Sequence, residues 1–397
     1  MLQVLYGISQ GLYWMTYCST LGFASSYITA MGYSATQLGI MLATANIIAA
    51  PVQQIVANAA DKAKKITLAK IMIIWLAILT IANLVMVYLK QGSVILPVCF
   101  VLSSVIIMLV QPLENALAFN IERTGKSVNF GLCRSIGSMM FSVVSSFIGW
   151  LAARNGAVVI PQIAMIFGFC YVIVLVIVDI ATNKQRLAGK VETSQDEPGI
   201  VNVSEATLKD YIEKYKFFFL FLLGTIAFTF GHLLINNYLF QVTSEVGGDS
   251  ADMGKLLSVQ AVVELPPMAL FSVISKKIKT TKLLKVAAIF FTVKTFFTFA
   301  AGTLPMLYIS MLLQMLAFAI YIPAAVSFVN DIMDEKDAVK GQSFVTVAYT
   351  ISAALACSLG GVFIDNLGVK NTLLACVGLG VIGTVASILA LNKYEKK

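Results

Sequence analysis

The chain has 397 residues, 58% of them hydrophobic and 12% charged, with a mean hydropathy of +0.86, a balance that excludes an ordinary soluble globular protein. Its net charge of +8 is then a property of loops flanking a membrane rather than of a nucleic-acid surface. Cys18, Cys99, Cys133, Cys170, Cys357 and Cys376 stand singly in apolar runs, which excludes a disulfide framework or a metal cluster and predicts small core residues.

A segment of about twenty apolar residues crosses about 30 Å of hydrocarbon. Twelve such segments can be marked between polar breaks, at 4–29, 36–59, 67–89, 94–119, 129–153, 157–181, 216–242, 253–275, 282–303, 305–330, 341–365 and 370–391. The first starts almost at Met1 with neither a basic leader nor a small-residue cleavage site, so it reads as a retained helix. The predicted class is therefore an all-α membrane protein with twelve transmembrane helices.

With the amino terminus placed in the cytoplasm, 22 of the 28 lysines and arginines fall in inner loops and tail. Four, Lys90, Arg154, Lys255 and Lys370, fall outside, and Arg134 and Lys294 lie within spans. This asymmetry predicts a multi-pass protein of the plasma membrane with both termini cytoplasmic. The one long connection, 182–214, is polar and carries the run Gln195, Asp196, Glu197, Pro198, Gly199. It reads as a cytoplasmic linker with a short surface helix near its end, separating a six-helix half at 1–181 from another at 215–397. Sliding one half on the other by about 211 to 215 positions sets Gly39 on Gly254, Pro51 on Pro266, Lys62 on Lys277, Pro112 on Pro323 and Gly149 on Gly360. The matched helix-interior prolines point to a duplicated, pseudo-symmetric pair of bundles.

Charges inside the spans are the candidate functional groups, because an ionisable residue in hydrocarbon costs about 2.5 to 3.5 kcal/mol on insertion scales and is retained for a use. Arg134 lies about a turn and a half into span 5, and Glu114 late in span 4 sits at a similar depth. In the second half Glu264, at the middle of span 8, precedes Leu265, Pro266 and Pro267, and Lys294 is at the middle of span 9. Adjacent helices then offer one acid–base pair per half. Either pair also reads as a fixed structural bridge between its helices. His232, the single histidine, is followed on span 7 by Asn236, Asn237 and Tyr238, and suits hydrogen bonding or titration. Gln10, Tyr13 and Tyr17 on span 1, Asn46 on span 2, Gln314 on span 10 and Gln342, Thr346 and Tyr349 on span 11 form short polar stripes, read as a cavity lining or as helix packing contacts.

The loop Ala57, Asn58, Ala59, Ala60, Asp61, Lys62, Ala63, Lys64, Lys65 resembles the signature loop between helices 2 and 3 of the major facilitator superfamily, with Ala57 and Lys64 where the family has glycines. The resemblance implies that Asp61, Lys62 and Lys65 belong to a conformational loop. Phe130, Gly131, Arg134, Gly137, Ser138 and Phe141 resemble the fifth helix of the lactose-permease-like branch, the oligosaccharide and nucleoside proton symporters. That resemblance implies that Arg134 grips substrate hydroxyls with Glu114 as partner and that Phe141 stacks on the solute, a phenylalanine standing where lactose permease has tryptophan. Glu264 ahead of its prolines resembles the eighth helix of the same branch, and Lys294 falls where that branch has a basic residue near the proton site. The branch also carries a histidine and a glutamate on helix 10, and 314–320 here has neither.

The expected function is a secondary transporter, a proton symporter for a small hydroxylated solute such as a sugar, oligosaccharide or nucleoside, working by alternating access. Tyr13, Tyr17, Glu114, Arg134, Phe141, His232, Asn236, Asn237, Gln314 and Tyr349 are the expected substrate ligands. Glu264 and Lys294 are expected to couple the proton. The partners are then the solute, protons and the bilayer, with a monomer expected and no nucleic acid. Two alternatives stand beside this: a proton-antiport exporter of amphipathic compounds, against which the paired charges argue, and a non-transporting sensor or scaffold, for which the linker is too short to hold an output domain. No phosphate-cradling loop, metal-ligand cluster or activated nucleophile is recognisable, so neither an enzyme nor a bound cofactor or metal is expected.

Overall fold

The computed structural model describes residues 1–62, 67–188 and 208–395, and every regular element among them is helical. A bilayer offers the main chain no hydrogen-bond partner, so long apolar runs satisfy themselves as helices. Helix α1 (Leu2–Tyr17) continues through a π turn (Cys18–Gly22) into α2 (Ala24–Ala30). Then come α3 (Ala35–Lys62), α4 (Leu68–Tyr88), α5 (Ile95–Glu122), α6 (Phe130–Asn155) and α7 (Val159–Ala188). After the linker follow α8 (Leu208–Lys214), α9 (Lys216–Asn237), α10 (Leu239–Glu245), α11 (Ser250–Lys277), α12 (Thr280–Ala300), α13 (Leu304–Leu312), a 3-10 turn (Leu313–Met315), α14 (Phe318–Ile332) and α15 (Glu335–Glu395).

Local chemistry sets the ends. Thr67 accepts the Lys70 amide at 3.3 Å ahead of α4, Asn129 accepts the Leu132 amide at 3.0 Å ahead of α6, and Asp249 accepts the Ala251 amide at 2.8 Å ahead of α11, each satisfying a first-turn donor. Helix α6 stops at Gly156, φ +86°, and the long α15 breaks at Gly368, φ +79°, a left-handed conformation that glycine adopts without a Cβ penalty. Among the described residues ten helices are long and apolar enough to cross a membrane. The first rod is not one of them because the π turn divides it, and α15 counts once although it breaks at Gly368.

Three predicted spans are interrupted where a polar residue sits. Ser19 donates to Met15 O and Thr16 O where the first rod passes into its π turn, span 7 breaks at Tyr238 just after Asn236 and Asn237, and span 10 passes through the 3-10 turn that carries Gln314. Hydroxyls bonding back to the helix and non-α turns are the usual causes of such breaks. Pro51, Pro112, Pro266 with Pro267, and Pro323 lie inside α3, α5, α11 and α14. Of the expected conformational loop, Asp61 and Lys62 close the backbone of α3, while their side chains and Lys65 lie outside the described residues.

The chain divides into two compact units, the described residues of Met1–Ser194 with Gly248–Val262, and those of Gln195–Gly247 with Val263–Lys397. In the first, Tyr6, Tyr13, Met72, Leu76, Leu79, Ile107, Leu113 and Tyr171 form the core. Helix α4 is apolar on both sides: Met72, Leu76, Leu79 and Met86 are buried while Ile74, Ile78, Ile81 and Val85 are exposed. An exposed aliphatic stripe of that length belongs in lipid. The first turns of α11 lie against α6 through small residues. A Cβ at Gly149 would meet Gly254 Cα at 3.0 Å, and Ser142 Oγ lies 2.8 Å from Ser258 Oγ. The second unit has an aromatic core of Phe218, Phe221, Phe228, Phe291, Tyr321 and Phe328, with Phe228 and Phe291 stacked at 5.2 Å.

Candidate functional site

Each unit buries a polar cluster that holds intramembrane charges. In the first, α1 presents Tyr6, Ser9, Gln10, Tyr13 and Trp14 within two turns. Glu114 on α5 is 1% exposed, and its Oε2 accepts from Ser9 Oγ at 3.0 Å and from Tyr171 OH at 2.5 Å. Tyr6 OH donates to the Glu114 carbonyl at 3.3 Å and accepts from Gln10 Nε2 at 2.7 Å. Glu114 Oε1 has no hydrogen-bond partner, nor have Gln10 Oε1 and Trp14 Nε1, all three buried. A buried polar atom left in that state costs about 1–3 kcal/mol. Two orphan acceptors and one orphan donor therefore mark a place where an added polar partner would be stabilising.

Arg134 is held differently from the expected pairing. Its guanidinium lies 4.0 Å from the centre of the Trp14 ring, and Nη1 donates to Ser138 Oγ at 3.2 Å, one turn on along α6. The guanidinium does not reach Glu114 Oε1. A quadrupolar ring face stabilises a cation by about 0.5–2 kcal/mol without neutralising it. Trp14 is also the hub of the surrounding rings, with centroids 5.1 Å from Tyr13, 5.2 Å from Tyr17 and 6.3 Å from Phe141. Phe141 thus turns toward the indole. Gly137 is where α6 passes the indole, and any Cβ there would collide with Trp14 Cδ1.

The second cluster is a line of five side chains. Lys294 on α12 is 0% exposed. Its Nζ donates to Gln314 Oε1 at 2.6 Å and contacts His232 Nδ1 at 3.3 Å. Gln314 Nε2 in turn donates to Glu264 Oε1 at 2.8 Å, and His232 Nε2 lies 3.3 Å from the Asn236 amide. The acid and base that the sequence pairs directly are thus separated by Gln314. A primary amide is both donor and acceptor, so it satisfies the carboxylate with one end and the ammonium with the other. The imidazole is packed against Phe291 at 5.2 Å and Phe318 at 5.5 Å. Tyr349 meets the same Phe318 at 6.2 Å, and Asn237 Nδ2 donates to Cys357 Sγ at 3.1 Å.

The structure therefore gathers Glu264, Gln314, Lys294, His232 and Asn236 into one network, with Tyr349 at its aromatic edge and Asn237 turned aside toward α15. In the other unit it gathers Arg134, Tyr17 and Phe141 around Trp14, and Tyr13 OH is spent on the Ile107 carbonyl at 3.4 Å. Sequence reasoning missed Trp14, Ser9 and Tyr171. Trp14 carried a legible signal, standing four residues after Gln10 and three before Tyr17 on the helix that presents them. Tyr171 sits in an apolar span without polar neighbours and gave none. All six cysteines are free, and among the described residues no group of three or more His, Cys, Asp or Glu could hold a metal.

A family model described as MFS_1 like family matches residues 6–375. No curated protein matches the sequence. Among solved structures, the nucleoside transporter NupG superposes with a TM-score of 0.73 at 15% identity, covering 98% of this chain and 98% of that one. A mutant of the peptide transporter POT gives 0.72 at 11% identity over 99% and 94% of the two chains. A bacterial homolog to the human lysosomal transporter Spinster, inward-facing and unoccupied, gives 0.69 at 13% identity over 100% and 97%. At these identities the likeness is one of fold.

Proposed function

The chain belongs to the MFS_1-like family, and from that premise, a multi-pass membrane transporter of the major facilitator fold, we propose that it is a proton symporter for a small hydroxylated solute: a sugar, oligosaccharide or nucleoside. The observation that carries the solute class is the cluster in the first unit, where Gln10 Oε1 and Glu114 Oε1 are buried acceptors without donors. Solute hydroxyls are donors of the right kind, and satisfying each acceptor recovers about 1–3 kcal/mol. Arg134 supplies charged donors to solute oxygens, and Tyr17, Phe141 and Trp14 supply ring surface, the combination of apolar walls and few placed polar groups typical of small-molecule sites.

Proton coupling is assigned to Glu264 and Lys294, the acid and base joined through Gln314. His232, Asn236 and Tyr349 complete the polar lining on that side. The working scheme is alternating access by two six-helix halves, 1–181 and 215–397, joined by the cytoplasmic linker 182–214, in a monomer of the plasma membrane with both termini inside. The test is purified protein in liposomes, with external pH followed as each member of a panel of disaccharides and nucleosides is added. A solute that alkalinises the outside on entry supports symport; no pH change with any of them refutes it. Glu264→Gln should abolish solute accumulation driven by a proton gradient while leaving solute exchange intact.

A further inference from the structure

Lys294 has a problem of access. Its ammonium is fully buried, and its Nζ has two hydrogen-bond partners, Gln314 Oε1 and His232 Nδ1. A lysine that changes charge during a transport cycle must exchange its proton with a neighbour. Gln314 is no such neighbour, because an amide oxygen accepts a hydrogen bond without acting as a base at ordinary pH. It orients both charges and interrupts proton movement between them. His232 is a base, and it is in contact.

The contact with the charged Lys294 sets the state of the ring. An ammonium only donates, so Nδ1 must offer a lone pair and the neutral imidazole carries its hydrogen on Nε2. Nε2 faces the Asn236 side-chain amide, one turn further along α9 and half-buried where Lys294 is fully buried; a hydrogen on Nε2 is satisfied there with the amide turned so that its oxygen, not its NH2, meets the ring. The ring therefore spans from the sealed lysine on one side to a more open position on the other. The other titratable groups near it are Glu264, from α11 and behind Gln314, and the Cys376 thiol on α15, whose Cβ lies 3.2 Å from where a Gly231 Cβ would be. On α13 the Ser310 hydroxyl accepts from Thr298.

We propose that His232 is the proton shuttle of Lys294, an inference that rests on the proton-coupled reading above. In the forward step the Lys294 Nζ–H bond breaks and an Nδ1–H bond forms, giving a neutral amine and an imidazolium. The Nε2–H bond then breaks and its proton passes to water on the Asn236 side, leaving a neutral imidazole of the opposite tautomer whose Nδ1–H donates to the amine. The return path protonates Nε2 and hands the Nδ1 proton back. One proton leaves for each lysine neutralised, and no electrons change hands.

The chain contains a single histidine, so protein labelled with 15N-histidine in lipid nanodiscs gives the signals of this ring alone. The expected spectrum at neutral pH shows an unprotonated Nδ1 and a protonated Nε2. A hydrogen on Nδ1, or a doubly protonated ring, overturns the proposal because neither can accept from Lys294. In liposomes, His232→Gln keeps an acceptor for Lys294 but cannot carry a proton. Proton-driven accumulation of the solute should fall by about a hundredfold, as for loss of a positioned acid–base group, well beyond any fall in exchange of the same solute, which reports what the side chain contributes to binding. Undiminished accumulation by His232→Gln overturns the shuttle and leaves symport standing. Absence of proton movement with every solute in the native protein sinks symport and the shuttle with it.

Discussion

Trp14→Ala is the sharpest test of the first cluster, because one substitution removes the surface on which Arg134 rests. The guanidinium lies 4.0 Å from the ring centre, and a partly desolvated contact of this kind contributes about 1–2 kcal/mol. If Arg134 is thereby released from its binding position, half-saturation for the transported solute should rise by about 5- to 30-fold, taking about 1.4 kcal/mol per factor of ten. Trp14→Phe keeps a ring of weaker quadrupole and should give a smaller rise. The assay is the initial rate of proton-driven uptake against solute concentration, which separates half-saturation from maximal rate. A thermal melt of each variant guards against misfolding, since the indole also fills the space beside Gly137. Half-saturation unchanged in a normally melting Trp14→Ala protein would refute a role for this ring in holding Arg134.

Three further outcomes are expected. Gly137→Val drives a side chain into the Trp14 indole and should lower stability by about 1–3 kcal/mol, as overpacking does, read as a lower melting temperature in detergent. Ser142 and Ser258 hydroxyls are 2.8 Å apart, a separation suited to a disulfide between the corresponding cysteines; oxidising the Ser142→Cys/Ser258→Cys protein should stop uptake and a reductant should restore it, whereas full activity of the cross-linked protein would show that this contact stays closed throughout transport. Finally, Lys214 Nζ lies 2.8 Å from both Asp334 and Asp337, and these bonds hold its pKa above the ordinary lysine value. A raised basic group contributes stability that is complete below its unfolded pKa and is lost as pH climbs through the folded one. Native protein should therefore melt above Lys214→Met by a constant margin through neutral pH, with the two converging only in strong alkali; convergence near neutrality would contradict the ion pairs.

The helices were legible because their cause is one-dimensional: about twenty apolar residues between polar breaks satisfy the main chain in only one way inside lipid. The intramembrane charges were legible for the same reason, each being costly enough to stand out. What holds each charge was legible only in part, as with Trp14 and Gln314 on their polar stripes. Sequence reasoning pairs opposite charges, so it set Glu114 against Arg134 and Glu264 against Lys294, while the structure places neutral intermediaries in both clusters: two hydroxyls and a ring face in the first, a primary amide in the second. These intermediaries come from elements whose geometry departs from a plain helix or lies far off in the chain, as with Gln314 in its 3-10 turn and Tyr171 on α7.

The difference has a mechanistic consequence. A direct buried ion pair is held by attraction of about 4 kcal/mol even at an effective dielectric constant near 20, and losing one partner leaves an uncompensated charge, so such a pair resists opening. A carboxylate held by hydroxyls, or an ammonium held by an amide and an imidazole, keeps its hydrogen bonds satisfied yet can gain or lose a proton with a change of donor direction alone. In the proposed proton-coupled cycle, Gln314 and Trp14 therefore matter as much as the charges beside them: each holds a charged group in place and carries no charge itself.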